Sequence, residues 1–208
     1  MFITFEGLDF SGKTTQARRL VDHLLRTGGP VQFLREPGGT AISERVRAIL
    51  LDRKNFEMAP LAELFLFSAS RAQLVAEVIR PALSRGEIVI CDRFDDSTTV
   101  YQGYGRGLDL GAILTINTTA TGNLSPDLTI IVDITLEEME RRRRATGAAF
   151  DRMESSGRAF YERVRAGYLD LSHQDPERCV LVDGMRPEKI IQEEVVSIVQ
   201  RRLEGKKK

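Results

Sequence analysis

Short apolar runs alternate with longer stretches of helical periodicity along most of the chain. "MFITFE" opens as a strand, and a glycine-rich turn leads to a helix expected from about Lys13 to Arg26, closed by "TGG". "VQFLRE" reads as the second strand, and helical spacing returns through "AISERVRAILL". The longest helical pattern runs from Pro60 to about Ser84, marked by Leu61, Leu64, Phe65, Phe67, Leu74, Val78 and Ile79. "EIVICD" and "DLTIIVD" are continuous apolar runs ending in Asp, as expected for strands buried on both faces. "RCVLV" is the fifth strand, and a last helix is expected from about Pro187 to Leu203. The alternation predicts an α/β fold, a three-layer sandwich with a five-stranded parallel sheet and helices on both faces. No internal repeat or linker interrupts it, so residues 1–208 are expected to form a single domain.

Composition narrows the function. The chain has 208 residues and a formal net charge of zero, without the basic excess of proteins that track nucleic-acid phosphates. Its two cysteines, Cys91 and Cys179, fit no metal spacing and sit in strand-like runs, as buried reduced thiols would. Glu6 and Asp9 break the first apolar run, unlike a signal peptide, and no stretch approaches the ~20 residues needed to span a bilayer. The expectation is a cytoplasmic protein with no membrane or nucleic-acid partner.

The candidate chemistry falls at strand ends, where ligands bind in open parallel sheets. "GLDFSGKTT" follows the first strand, "REPGGT" the second and "DRFDDS" the third, so all three are expected to face one cleft. Gly7-Leu8-Asp9-Phe10-Ser11-Gly12-Lys13-Thr14 matches the P-loop pattern in full, between a strand and a helix. Its glycines let successive N–H groups turn toward phosphate oxygens, and the helix start adds a positive dipole end. Lys13 supplies a charge to the β- and γ-phosphates, and the Thr14 hydroxyl is a Mg²⁺ ligand. The loop through Thr15 is therefore assigned to ATP. The N-K-x-D of GTPases is missing from the sequence.

Asp92 is placed to orient the metal or its waters, and Arg93 to bridge donor and acceptor phosphates with its planar fork. Phe67 and Arg71 stand four apart on the long helix, so they share a face. By themselves they fit either a base-recognition pair or a core phenylalanine beside a surface arginine.

"FEGLDFSGKTTQ", "REPGGT", "LFSASRAQL", "IRPAL", "DRF", "STTVYQGYGRGLD", "PDLTIIVD" and "DRME" occur in this order over almost the whole chain. In these stretches the sequence resembles the thymidylate kinase family, with "REPGGT" and "YQGYGRG" separating it from adenylate and guanylate kinases. The resemblance implies phosphoryl transfer from ATP to dTMP with Mg²⁺, in a P-loop fold that is usually a homodimer. It assigns Phe67 to stacking on thymine and Arg71 to the base edge. Arg93 becomes the clamp on the acceptor phosphate, with Arg35 or Arg47 assisting beside Pro37. Asp9 is placed near the sugar 3′-hydroxyl and the metal, and Ser97, Thr98, Tyr101 and Gln102 along base and deoxyribose. Tyr101 would exclude a ribose 2′-hydroxyl. A kinase for another nucleotide or deoxynucleoside, or an ATP-binding module without transfer, are the alternatives.

A short mobile lid is expected over about residues 141–153. Glu137, Glu138 and Glu140 precede Arg141, Arg142 and Arg144 by four residues each, the order that favours helical ion pairs. The resemblance implies that the lid supplies an arginine to the phosphates. Thr146 stands where relatives often carry it, which leaves Arg144 or Arg143, with Arg152 in reserve. Phe10 replaces the small or charged residue usual in the phosphate loop, and its ring is expected to turn toward the lid or solvent. His23 and His173 are expected at the surface, and "GKKK" as a frayed tail.

Overall fold

The computed structural model describes residues 1–147, 152–153 and 156–205. Five strands, β1 (Phe2–Glu6), β2 (Val31–Arg35), β3 (Ile88–Asp92), β4 (Leu128–Asp133) and β5 (Cys179–Asp183), form one parallel sheet in the order β2-β3-β1-β4-β5. The helices are α1 (Lys13–Arg26), α2 (Ala41–Leu51), α3 (Pro60–Leu74), α4 (Arg80–Ser84), α5 (Asp95–Thr98), α6 (Leu110–Thr121), α7 (Leu136–Thr146), α8 (Arg158–Gln174) and α9 (Glu188–Gly205). The expected α/β architecture is the observed one.

Burial on both faces explains the continuous apolar strands. Ile3 and Phe5 of β1 pack in one cluster with Leu20 and Leu24 of α1 and with Val195 and Val199 of α9. Phe2 points to the opposite face, among Leu74, Val75, Ile79 and Phe94. A third cluster, including Leu8, Ile131, Met139, Phe160 and Val164, lies beneath α7 and α8. The face of β1 that carries Phe2 turns polar toward its carboxyl end, where Thr4 and Glu6 are fully buried.

The expected helix from Pro60 to Ser84 is not uniform. A π-helical segment, Val75–Ile79, separates α3 from α4. Pro81 has no N–H to give to the carbonyl four residues back, and a widened turn absorbs the lost bond. A second π-helical segment, Thr99–Gly105, continues α5. It lies against α8. Both cysteines are buried and unpaired, and burial pushes the Cys179 thiol up to about 12. Among the described residues, no helix is long and apolar enough to cross a membrane. Residues 148–151 of the expected lid segment, 154–155 just past it and 206–208 of the "GKKK" tail lie outside the described residues.

Candidate active site

Only glycine fits at the first position of the phosphate loop, because strand β4 runs close beside it. A Cβ on Gly7 (φ 133°) would lie 2.4 Å from the Val132 carbonyl oxygen, so no other residue is accommodated there. Gly12, at φ 93°, turns the chain left-handed into α1. Lys13 is buried and folds back over the loop, its Nζ donating to the Leu8 carbonyl at 3.2 Å and lying 4.0 Å from Asp9. Burial pushes its pKa below the ordinary range, and the neighbouring Arg93 charge adds to that push. Thr14 Oγ1 donates to Asp92 Oδ2 at 2.5 Å, while Asp92 Oδ1 is buried without a hydrogen-bond partner among the described residues. Thr15 is exposed and does not line the cavity.

Phe10 also has left-handed backbone (φ 62°), which costs roughly 1–2 kcal/mol for a residue with a Cβ. Its half-buried ring packs against the cluster under α7 and α8 and does not line the cavity. That is the lid side, the direction expected for it. Ring burial in this cluster offsets the backbone cost.

Arg93 is the best-held cation of the site. Its amide extends the sheet by donating to the Phe5 carbonyl at 2.9 Å, after which the chain turns left-handed at φ 71°. Nη1 donates to the Gly7 carbonyl (3.1 Å), Ser97 Oγ (3.1 Å) and the Tyr168 hydroxyl (3.3 Å). Nη2 donates to Asp9 Oδ1 (2.5 Å) and the Tyr101 hydroxyl (3.2 Å), and the guanidinium carbon lies 5.0 Å from the centre of the Tyr101 ring. Asp9 also accepts from the hydroxyls of Tyr101 (3.3 Å) and Tyr161 (3.1 Å). Burial alone would raise its pKa, but the Arg93 and Lys13 charges prevail and hold the carboxyl below its ordinary value.

Sequence reasoning missed the carboxylate behind this arrangement. Glu6 Oε1 accepts from the Phe94 amide at 2.7 Å, and Oε2 from Ser97 Oγ at 2.6 Å and Tyr168 at 2.7 Å. Burial pushes its pKa up to about 7 against the pull of Arg93. The available signal was a charged residue at a position where strand alternation calls for a buried side chain.

The residues expected to hold the acceptor nucleotide line the same cavity. Arg35, Pro37, Arg47, Phe67, Arg71, Ser97, Thr98, Tyr101 and Gln102 all line it, joined by Glu36, Leu51, Phe94 and Met153. Arg71 is fully buried and donates to Asn117 Oδ1 (2.9 Å), Thr98 Oγ1 (2.7 Å) and the Phe94 carbonyl (3.2 Å). Glu36 Oε1 lies 2.7 Å from Arg71 Nη2, close enough to compensate charge, although neither Glu36 oxygen meets hydrogen-bond geometry. Arg35 pairs with Glu44, and Arg47 donates to the Pro37 carbonyl across the cis Glu36–Pro37 turn. Gln102 gives its amide N–H to Glu63 Oε1 at 2.9 Å. Glu63, which no sequence motif marked, is buried and also pairs with Arg106 and Arg152.

Two of the three ion pairs expected along α7 form, Glu138–Arg142 and Glu140–Arg144. Arg144 is exposed and pairs loosely with Glu140 at 3.7 Å, and neither it nor Arg143 lines the cavity. Arg142 is the arginine of this run that reaches the phosphate loop. Its Nη1 donates to the carbonyls of Ser11 (3.0 Å) and Phe10 (3.4 Å), and Nη2 to the Gly184 carbonyl (2.7 Å). Glu138 holds its Nε at 2.6 Å and also binds Arg141, whereas Glu137 turns to Arg158 instead of the expected Arg141. Arg152 is buried against Glu63 and the Leu50 carbonyl, away from the phosphate loop. His23 is half-buried and His173 exposed, and neither lines the cavity.

Comparison with known proteins gives a consistent picture. A sequence profile described as thymidylate kinase matches residues 5–195. Thymidylate kinase of Caldanaerobacter subterraneus subsp. tengcongensis is 49% identical over 206 residues, covering 99% of this chain and 98% of that protein. Thymidylate kinase of Geobacter sp. (strain M21) is 50% identical over 188 residues, covering 88% of this chain and 84% of its own length. The crystal structure of thymidylate kinase from Ehrlichia chaffeensis superposes with a TM-score of 0.79 at 37% identity, covering 96% of this chain and 98% of that one.

Proposed function

The chain belongs to the thymidylate kinase family, and on that premise we propose that it transfers the γ-phosphoryl of ATP to dTMP in this cavity. The products are dTDP and ADP, a step of dTTP synthesis. The observation that carries the assignment to this cavity is its lining. One cavity is lined together by the P-loop Lys13 and Thr14, by Phe67 and Arg71, and by Arg93.

The reaction needs charge and alignment more than proton transfer. The acceptor is a phosphate whose second pKa of about 6 leaves it largely ionised at neutral pH. No general base is required, in keeping with both histidines lying off the cavity. The loop N–H groups and Lys13 hold the ATP phosphates, and Arg93 steadies the acceptor phosphate against its in-line partner. Thr14 and Asp92, with its unpartnered buried Oδ1, fit a Mg²⁺ ion, and Asp9 lines the same cavity. When bound, Mg²⁺ neutralises charge on the β- and γ-phosphates. Phe67 offers a ring to stack on thymine and Arg71 faces the base edge, while Tyr101, fixed beneath Arg93, crowds the sugar 2′ position. Arg142, bonded to Glu138 and to the Ser11 and Gly184 carbonyls, places its charge against the phosphate loop, although like Arg143 and Arg144 it does not line the cavity.

Residues 1–208 act as one catalytic unit in this reading. A homodimer is supported by Leu61 and Phe65 of α3 and Leu110 and Leu114 of α6, apolar and exposed on two helices in contact. Two unpaired buried thiols favour the cytoplasm. The test is ATP consumption with a panel of monophosphates. The expected order is dTMP, then dUMP, with AMP and GMP far behind; a preference for a purine monophosphate refutes the assignment.

A further inference from the structure

One hydroxyl in the site serves two masters. Tyr161, buried on α8, points its phenol at Asp9 Oδ2 (3.1 Å) and at the Met153 carbonyl oxygen (3.4 Å). A phenol carries a single proton, so it cannot donate to both at full strength. Burial, with the nearby Asp9 charge, pushes its pKa far up, so the group remains a donor. Its ring is fixed edge-on against Phe160, with centroids 5.4 Å apart.

Each acceptor belongs to a different part of the machinery. Asp9 sits in the phosphate loop and receives Arg93. Met153 lines the cavity. The chain there is anchored by its neighbour: the Arg152 amide donates to the Leu51 carbonyl (3.2 Å), Arg152 Nε to the Leu50 carbonyl (2.7 Å), and Arg152 Nη1 meets Glu63 at 2.5 Å. Glu63 in turn holds Gln102, another lining residue. A hydrogen-bonded path therefore runs from Gln102 through Glu63 and Arg152–Met153 to Tyr161 and Asp9.

We propose that Tyr161 is a positioning residue for phosphoryl transfer, whose shared proton ties the Arg152–Met153 segment to the phosphate-loop carboxylate and so to Arg93. When the segment is seated, the Met153 carbonyl and Asp9 hold the phenol between them, and Asp9 is presented to Arg93 in one orientation. Loss of the hydroxyl leaves the ring packing but uncouples the two. The kinetic part of this proposal rests on the dTMP kinase reading; the structural part does not.

The variant is Tyr161→Phe. Hydrogen–deuterium exchange, which needs no substrate, is expected to quicken in peptides containing Asp9 and in those containing Arg152–Met153. Unchanged exchange in either overturns the coupling. In wild-type enzyme active on dTMP, the variant is expected to lose about tenfold in kcat, the scale of one hydrogen bond to a charged group, with KM for dTMP within about twofold. Unchanged kcat, or a loss confined to KM, overturns the positioning role. A double-mutant cycle with Arg152→Gln separates this from independent structural damage. Losses well short of the product of the two single effects are expected, whereas fully multiplicative losses refute the path. A wild-type protein inactive on dTMP would refute the function while the exchange result still judges the coupling.

Discussion

Arg93 and Arg144 carry the same guanidinium in very different settings. Arg93, with 16% of its side chain exposed, meets a backbone carbonyl, a carboxylate and three hydroxyls. Arg144, with 78% exposed, meets one carboxylate at 3.7 Å. In a buried setting, an unsatisfied donor carries a full desolvation penalty, so the surroundings must fix every N–H and thereby aim the group. In water the penalty vanishes and so does the aim; such a pair contributes ~0–1 kcal/mol. Positive charge alone does not mark a catalytic arginine. The neighbours that dictate its direction decide where it can act.

The largest effect should come from breaking the aimed side. Arg93→Ala is expected to lower turnover by about 10³-fold or more, the range seen when an arginine that stabilises a transferring phosphoryl is lost. Arg93→Lys should remain severely impaired, because an ammonium cannot reproduce a fork that reaches Asp9, Ser97 and Gly7 together. Steady-state assays with circular dichroism as a fold control decide it. Near-normal turnover in Arg93→Ala would remove Arg93 from the mechanism.

Arg142 falls between the extremes, with directed bonds to the loop carbonyls but a quarter of its side chain exposed. Removing it frees the Ser11 and Phe10 carbonyls to face water, so the loss is smaller. Arg142→Ala is expected to lower kcat/KM for ATP by roughly 10- to 100-fold, the scale of one or two hydrogen bonds from a charged donor. An effect no larger than that of Arg144→Ala would mean the contact with the loop is incidental.

The same contrast explains what could be read in the sequence. The strands and the phosphate loop were legible because each is over-constrained: apolar runs must be buried on both faces, and Gly7 has a carbonyl where a Cβ would stand. Phe67 and Arg71 were legible as a pair through helical spacing, and both line the cavity. Which arginine of α7 meets the loop was not, because it depends on how that helix is rotated against β5 and α8, which no local pattern encodes. Glu63 was hidden for a related reason. A glutamate on a helix reads as solvated until Arg106 and Arg152, distant in sequence, are brought to it. Tyr161 and Tyr168 of α8 carried no motif to single them out, since it is their hydroxyls that bond to the site carboxylates Asp9 and Glu6.

Glu6 extends the comparison from direction to protonation. Its carboxyl titrates at about 7 in the fold, against an ordinary value of 4.5, because burial disfavours the anion. The folded state then binds more protons than the unfolded one between those values, so this group's contribution to stability is complete below about 4.5 and is lost as pH rises toward 7. Asp95, also pushed up to about 7 by burial, adds a slope of the same sign. Glu6→Gln removes one titration while leaving an amide able to bond with Phe94, Ser97 and Tyr168. Urea midpoints at pH 5 and pH 7.5 should therefore differ less in the variant than in the wild type. An unchanged difference would show that Glu6 titrates normally in the fold.

Arg144→Ala should give the smallest effect and is the sharpest check on the contrast. Among the described residues its ion-pair partner is Glu140, which also lies 3.6 Å from Arg158, so the carboxylate keeps a cation after the substitution. Alanine is moreover a better helix former than arginine, offsetting part of a pair worth a few tenths of a kcal/mol. The expected change is less than about twofold in kcat and in KM for either substrate, and within ~0.5 kcal/mol in stability. A hundredfold loss in kcat at unchanged stability would mean that Arg144 moves to the phosphates during turnover. In that case the neighbours seen around a side chain in this structure would no longer suffice to identify the working arginines, and Arg93 would have to share its role with a residue held by almost nothing.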